Sequence, residues 1–291
     1  MRLAEATKKI TELFEKNSLA NAAKEAEFFM REVLNISLTD FVLQKDKTLS
    51  PQQATALLQK AQRRASGEPL AYIVGHKDFF KERFVVNPSV LIPRADTEVL
   101  VEEALRIVPI PKRITDLGTG SGCIGLSLLQ EWPQSHLTAI DVSLEAIHLA
   151  QENAHSLGLL QRVEFVCGDV LTQKFTELFD LVVSNPPYIS PEDTRLENTV
   201  ALYEPHAALY AEENGLFFYK RWTPWAKKHL RAGGWLIYEC GEGQASELES
   251  ICLQNGFKNI KIIKDLASKD RVVVAQMPVA QMPDDQRSPH G

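Results

Sequence analysis

Arg113-Ile114-Thr115-Asp116-Leu117-Gly118-Thr119-Gly120-Ser121-Gly122-Cys123-Ile124-Gly125 runs from an apolar strand candidate into a glycine-rich turn and on into a helix. Glycines let the backbone turn tightly and approach a ligand closely. The helix start that follows offers free amides to the crevice. Working outward, strand candidates at Arg113–Asp116, His136–Asp141, Val163–Cys167, Asp180–Ser184 and Gly234–Glu239 alternate with helical stretches such as Ser143–Gly158. That alternation predicts an α/β fold with a doubly wound, mostly parallel sheet. Two later runs, Ile260–Ile263 and Val272–Ala275, add an antiparallel edge and make the sheet seven-stranded.

The loop alone fits two ligands. Gly120-Ser121-Gly122-Cys123-Ile124-Gly125 matches the dinucleotide pattern G-x-G-x-x-G. The same architecture binds S-adenosylmethionine, which has a ribose and an adenine but no pyrophosphate. Asp116 favours the second ligand: a carboxylate opening the loop repels a pyrophosphate and suits the cationic methionine end of a sulfonium. Asp141, closing the next strand, is placed to accept ribose hydroxyls. Asp169 can accept the adenine amino group, with Val170 against the ring. Both acids could instead merely cap the segments that follow them. The cofactor candidates are thus Asp116, Gly118, Thr119, Gly120, Ser121, Gly122, Asp141, Asp169, Val170 and Asn185.

Asn185-Pro186-Pro187-Tyr188 follows the apolar run Phe179–Ser184. Two prolines fix φ and remove two backbone donors, so the strand stops there. The Asn185 oxygen and the Pro186 carbonyl then form a rigid acceptor pair suited to the two hydrogens of a planar NH2 group. In a doubly wound sheet the order reverses between the first and fourth strands, where ligands bind. The glycine loop and this turn are therefore expected to face each other. Asn185, Pro186 and Tyr188 are the candidate catalytic residues, and Asn185 to Tyr188, with Pro187, the substrate site.

The remaining sequence narrows the class. The chain has 291 residues, 44% hydrophobic and 24% charged, enough for one sizeable core and a smaller one. No window approaches the roughly 18 uninterrupted apolar residues of a membrane span. Met1-Arg2-Leu3-Ala4-Glu5 reads as a charged amphipathic start and not as a signal peptide. Cys123, Cys167, Cys240 and Cys252 are widely spaced and read as reduced cytoplasmic thiols. The seven histidines show no H-x-x-H spacing, so no metal is expected. Net charge is −6, with +2 on residues 1–80 and −8 on the remainder, which gives no basic nucleic-acid footprint.

Residues 1–70 read as a small helical, substrate-binding domain. Leu3, Ala6, Ile10, Leu13 and Phe14 recur at helical spacing, as do Ala22, Ala26, Phe29 and Val33. Ser50-Pro51-Gln52-Gln53 is a helix start, after which Ala54, Leu57, Leu58, Ala61 and Ala65 face inward and Gly67 closes the helix. Residues 71–107 read as a connecting segment, with Tyr72–Gly75 and Arg83–Pro88 as a strand hairpin and a helix to Ile107 capped by Asp96 or Thr97. Residues 108–276 form the cofactor-binding catalytic domain. Residues 277–291, in which Val274–Pro278 recurs as Val279–Pro283, read as a disordered tail.

Asp116–Gly122 together with Asn185–Tyr188 resembles the methyltransferases that alkylate exocyclic or amide nitrogen. Pro69–Gly75, Leu91–Arg94 with Asp96-Thr97-Glu98, Glu204-Pro205 with Ala208-Leu209, Asn214-Gly215-Leu216 with Tyr219, and Asp270-Arg271-Val272 narrow the likeness. Over about residues 1–276 the chain resembles the HemK/PrmC family, the glutamine methyltransferases of peptide-chain release factors. Ala95 stands where many members have Pro, and Val170 where some carry an aromatic. The resemblance implies methylation of the glutamine in a Gly-Gly-Gln motif, with the helical domain touching the protein substrate. It also implies cofactor contacts from Gly118, Gly120, Gly122, Asp141, Asp169 and Val170, and an amide site at Asn185, Pro186 and Tyr188. A cytoplasmic monomer with no direct nucleic-acid requirement is expected. The alternatives are an adenine-N6 methyltransferase of DNA or RNA, a nicotinamide-dependent dehydrogenase, and a non-catalytic scaffold. Arg94 either orients a carboxylate or pairs with Asp96 or Glu98; His206 and Arg271 read as structural.

Overall fold

The structure, a computed structural model, describes residues 1–194 and 198–279. Those residues form two compact units. The first holds α1 (Leu3–Lys16), α2 (Ala22–Leu34), α3 (Leu38–Leu43), α4 (Pro51–Ala65) and α5 (Leu70–Val74). The helices exist because their apolar positions recur every three to four residues and close on one another. Leu3, Ala6, Ile10 and Phe14 of α1 meet Ala22, Ala26, Phe29 and Met30 of α2, and Leu57 and Ala61 of α4. The Phe14 and Phe29 rings meet edge to face at 5.6 Å. Ser50 caps α4 as expected: its hydroxyl accepts from the Gln53 amide while the Gln53 side chain accepts from the Ser50 amide. Leu58, expected inward, is exposed, because it lies one helical step from the buried Leu57 stripe.

Tyr72–Gly75 is not a strand. Leu70–Val74 is a short helix, closed by Gly75 at φ +85°, where the left-handed region favours glycine. The β-branched Ile73 and Val74 favour a strand locally, but burial of Ile73 in the helical core outweighs that preference. The hairpin is instead β1 (His76–Phe79) and β2 (Glu82–Val85).

In the second unit α6 (Glu98–Ile107), β3 (Arg113–Leu117), α7 (Cys123–Glu131), β4 (His136–Asp141), α8 (Leu144–Ser156), β5 (Val163–Cys167) and β6 (Phe179–Ser184) follow in turn. After α9 (Asn198–Tyr203), which clusters with the first unit, come α10 (Phe217–His229), β7 (Leu230–Glu239), α11 (Ala245–Gln254), β8 (Lys258–Lys264) and β9 (Asp270–Gln276). The sheet order is β5-β4-β3-β6-β7-β9-β8. Strands β5, β4, β3, β6 and β7 run parallel, and β9 is antiparallel to both β7 and β8. The seven strands and their mostly parallel sense are as expected, but the reversed strand lies one place in from the edge. One buried apolar layer lies on each face of the sheet.

Chain order reverses between β3 and β6, which pair through Ile114–Leu181, Thr115–Val182 and Asp116–Val183. Their carboxyl ends therefore emerge side by side. The expected tail starts later than residue 277, since the Met277 amide still donates to the Gly234 carbonyl at 2.8 Å. From residue 280 onward that expectation lies outside the described residues. Replacing Phe29 with Ala removes a fully buried ring that faces Phe14 and is expected to cost about 3–5 kcal/mol. Loss of amide protection along α1 and α2 in hydrogen exchange would measure it; wild-type protection would contradict this packing.

Candidate active site

The glycine loop turns three times through the left-handed region, at Gly118, Gly120 and Gly122. Gly122 has a steric need as well: a β-carbon there would sit 2.8 Å from Leu126 Cδ1, inside the first turn of α7. Gly120, by contrast, has open space where a β-carbon would project, so the loop's outer surface is free to meet a ligand. Asp141 secures the loop from the next strand. Its Oδ2 accepts from the Gly120 amide and its Oδ1 from the Ser143 amide, both at 2.9 Å. Burial raises the Asp141 carboxyl, while those amides pull it back.

A cavity of about 220 Å³ opens above the strand ends. Gly118, Thr119, Gly120, Ser121, Asp141, Gly168, Val170, Asn185 and Pro187 line it, joined by Thr97, Arg94, Leu91, Pro205 and Phe218. The loop and the Asn185 turn therefore share one cleft. Asp116, Gly122, Asp169, Pro186 and Tyr188 do not line it. Asp169 is exposed, and its Oδ1 caps the following turn by accepting from the Leu171 amide at 2.9 Å. Asp116 lies beneath the loop, 1% exposed. Its Oδ2 accepts from the Thr119 hydroxyl at 2.8 Å and the Gly125 amide at 3.2 Å. It braces the loop where the sequence suggested a direct hold on a cation. Burial pushes its carboxyl up to about 7, against those two hydrogen bonds.

The Asn185 turn is held from several sides. Ser184 Oγ donates to the Leu117 carbonyl at 2.6 Å, tying the end of β6 to the end of β3. Ile189 bonds Leu209 and Ala211 through its amide and carbonyl, at 3.0 and 2.8 Å. Gln244 Nε2 donates to the Tyr188 carbonyl at 2.9 Å. A β-carbon on Gly215 would overlap that same carbonyl, which accounts for glycine in the Asn214-Gly215-Leu216 segment. Tyr188 turns its ring toward the core and donates its phenol to Glu239 Oε1 at 3.2 Å. Burial raises the phenol's pKa well above its ordinary value, and the Glu239 charge adds to the effect.

Three further residues belong to the site and were missed in the sequence. Thr97, 2% exposed, accepts from Asn185 Nδ2 at 3.3 Å. It gives α6 no side-chain cap, contrary to expectation. Glu239, 1% exposed, receives Tyr188. Burial pushes its carboxyl up to about 7, opposed by hydrogen bonding from Thr97, the charge of Arg271 and the Tyr188 phenol. Glu204, 4% exposed, accepts from the Ile92 amide at 3.0 Å and from Arg94 at 2.5 Å. Arg94 thus pairs with neither Asp96 nor Glu98. Arg271 bridges Asp96 and Asp265, at 3.2 and 3.1 Å, in keeping with a structural role. The one signal for these partners was indirect: Thr97 and Glu204 sit in the segments that carry the family resemblance.

The lining suits S-adenosylmethionine. Arg94 and Asp141 are its charged side chains among the described residues, and neither the loop nor the start of α7 carries a cation for a pyrophosphate. Asp141 stands at the end of β4, where an acid meets ribose hydroxyls. Residues 95–219 match the family described as "Methyltransferase small domain", and residues 5–75 match "PrmC N-terminal domain". A crystal structure of a methyltransferase from Pyrococcus furiosus shares the fold, with a TM-score of 0.53 at 16% identity over 79% of this chain and 100% of that one. Fold and site define an S-adenosylmethionine-dependent methyltransferase. The release factor glutamine methyltransferase of Geobacter sulfurreducens is 41% identical across 87% of this chain and 89% of its own. That of Koribacter versatilis is 36% identical across 88% and 91%. The chain belongs to the HemK/PrmC family of release factor glutamine methyltransferases.

Asp116 gives the site a pH signature. Its carboxyl moves from an ordinary 3.8 to about 7 on folding, so the folded chain binds the extra proton between those values. That contribution to stability is therefore lost as pH rises from about 4 to about 7. Asp116→Asn has no such loss. Its stability relative to wild type should grow across that window by on the order of 2–4 kcal/mol. Urea midpoints of the two cofactor-free proteins at several pH values would show it, and a pH-independent difference would contradict it.

Proposed function

We propose that this enzyme transfers a methyl group from S-adenosylmethionine to the side-chain amide nitrogen of the glutamine in a Gly-Gly-Gln motif of peptide chain release factors. The carrying observation is that Asn185, its NH2 held by Thr97, lines the same cleft as the glycine loop. With its NH2 committed to Thr97, the amide leaves Oδ1 free to accept. The family relatives named above support the same acceptor. The protein is read as a cytoplasmic monomer that needs no nucleic acid.

A carboxamide nitrogen is a poor nucleophile, because its lone pair is conjugated with the carbonyl. Asn185 Oδ1, on the cleft wall, accepts one of its hydrogens and, with the Pro186 carbonyl that follows it in the chain behind that wall, fixes the direction in which the nitrogen faces. They also stabilise the positive charge that grows there, most strongly where water is excluded. When bound, S-adenosylmethionine supplies an electrophilic methyl on a sulfonium. Gly118, Gly120 and Asp141 would hold it with that methyl toward the turn, and positioning of this kind contributes several kcal/mol. Tyr188 anchors the turn through Glu239. No strong base is required, since the amide proton becomes acidic once the new bond forms and can pass to solvent.

Asn185→Ala should bind S-adenosylmethionine within about threefold of wild type and lose on the order of 100-fold or more in turnover. The assay offers labelled S-adenosylmethionine with a release factor, with the same factor carrying Gln→Ala in its Gly-Gly-Gln motif, and with duplex and single-stranded nucleic acid. Label on the intact factor alone is the expected result. Label on nucleic acid alone would transfer the reading to adenine-N6 methylation, and full activity of Asn185→Ala would remove the amide-gripping role.

A further inference from the structure

Tyr188 closes the Asn185–Tyr188 turn, and both of its polar groups are taken by the segment that leads from β7 into α11. Its phenol donates to Glu239 Oε1 at 3.2 Å, and its carbonyl accepts from Gln244 Nε2 at 2.9 Å. The Gln244 carboxamide is used at both ends. Nε2 also donates to the Asn214 carbonyl at 3.1 Å, and Oε1 accepts from the Gly241 amide at 3.0 Å. A primary amide has two hydrogens to give. Here they go to two carbonyls that lie close enough to share one nitrogen, and such carbonyls repel unless a double donor stands between them. The close approach is forced on the backbone. Glu213, Asn214 and Gly215 all lie in the left-handed region, at φ +57°, +58° and +83°. For the two that are not glycine this conformation costs free energy and persists where the surroundings hold it. A β-carbon on Gly215 would lie 2.0 Å from the Tyr188 oxygen and 2.4 Å from Gln244 Nε2. One on Gly241 would lie 2.9 Å from Tyr188 Cδ2.

We propose that Gln244 is a positioning residue for methyl transfer: its carboxamide bridges the Tyr188 and Asn214 carbonyls and so sets where the Asn185–Tyr188 turn stands at the cleft. This inference rests on the proposed amide-binding role of the turn. Pro186 and Pro187 have no backbone N–H, so the middle of the turn cannot be tied by its own amides. Its position is decided at its two ends. Ser184 Oγ, on the Leu117 carbonyl at 2.6 Å, fixes the entry. Gln244 and Glu239, on the carbonyl and phenol of Tyr188, fix the exit. Gln244 is not among the residues that line the cleft, so it acts through Tyr188. A displacement of about 1 Å at a reacting centre can cost about 100-fold in rate, which makes such a remote hold matter. A simpler role is local to residues 241–244, where the Gln244 amide also donates to the Gly241 carbonyl at 3.2 Å. That role needs the Gln244 side-chain oxygen, which accepts from Gly241, and has no use for its NH2 group.

The test compares wild type with Gln244→Glu, Gln244→Met and Gly241→Ala. Glutamate keeps the length of glutamine and an oxygen for the Gly241 amide, but turns a second oxygen toward the two carbonyls. Methionine keeps the length and donates nothing. Alanine at Gly241 leaves the Gln244 side chain in place and presses on it and on the Tyr188 ring. All three are expected to lower kcat by about tenfold or more while leaving the cofactor Kd within about threefold. A role confined to residues 241–244 instead predicts wild-type kcat in Gln244→Glu, and that result overturns the proposal. The second readout needs no substrate. The Asn185 side-chain NH2 pair, assigned in ¹H–¹⁵N spectra by its loss in Asn185→Asp, reports the place of the turn beside Thr97. It should shift in all three variants. The Gln244 pair, assigned by its loss in Gln244→Glu, should exchange slowly in wild type, since both carbonyls hold it. A folded Gln244→Glu or Gln244→Met with the Asn185 pair unmoved overturns the proposal even where kcat falls. If the wild type methylates no release factor, the proposed acceptor fails, and the spectra still decide whether Gln244 sets the turn. If neither Gln244 variant folds, Gly241→Ala decides it by the same two readouts, and wild-type kcat with an unmoved Asn185 pair overturns it.

Discussion

The pairing of β3 with β6 is the constraint on which the site depends. It is parallel, it joins strands far apart in sequence, and it lies where the sheet reverses its winding. Because Asp116 pairs with Val183, the glycine loop and the Asn185 turn leave the sheet at neighbouring positions. The Ser184 hydroxyl on the Leu117 carbonyl closes the last step of that register. A slip of one residue would exchange the two faces of β6 and carry Asn185 away from the cleft. The buried runs Leu181-Val182-Val183 and Ile114 against both apolar layers make such a slip expensive.

The site also requires polar groups that a hydrophobic sheet does not readily hold. Asp116 and Glu239 are each about 1% exposed, and Arg271 is 9% exposed. Burying an ionisable group costs several kcal/mol unless hydrogen bonds or opposite charges offset it. Here each has a task. Asp116 ties Thr119 and Gly125 across the loop, Glu239 receives the Tyr188 phenol, and Arg271 joins Asp96 to Asp265. The raised carboxyls of Asp116 and Glu239 show that compensation is incomplete. Stability has been given up locally in exchange for a loop and a turn with fixed geometry.

What the sequence made legible was local and periodic. Strand limits at His136–Asp141 and Val163–Cys167 follow from short, mostly apolar and β-favouring runs bounded by polar and turn residues, and the Ser50 capping box from four adjacent side chains. The cleft was legible because the glycines and prolines that shape it act through their own backbones. Side-chain partnerships were not. Arg94 is 110 residues from Glu204, and nothing nearer announces that it will ignore Asp96 and Glu98. Asp116 showed its charge but not its depth: a carboxylate at a strand end reads the same whether it points out of the loop or beneath it. Tyr72–Gly75 failed for the opposite reason, since a local β preference was overruled by the core that Ile73 enters.

An acceptor pair that grips two N–H hydrogens does not by itself separate a glutamine amide from an adenine amine, so selection must come from what surrounds the turn. A nucleic acid brings a phosphate for each nucleotide, and its binding rests on cations placed to meet them. The cleft wall here is made of Leu91, Pro93, Pro205, Ala207, Ala208 and Phe218. Its cation, Arg94, is already paired with Glu204. The chain from residue 81 onward carries a net charge of −8. A narrow apolar wall with its guanidinium neutralised repays burial of an uncharged side chain on a neutral backbone, and a glycine-flanked glutamine meets that requirement with little bulk at the entrance. The same wall offers a polyanion desolvation without compensation. The selectivity of the site thus follows from the surfaces beside Asn185, and not from the acceptor pair proposed there.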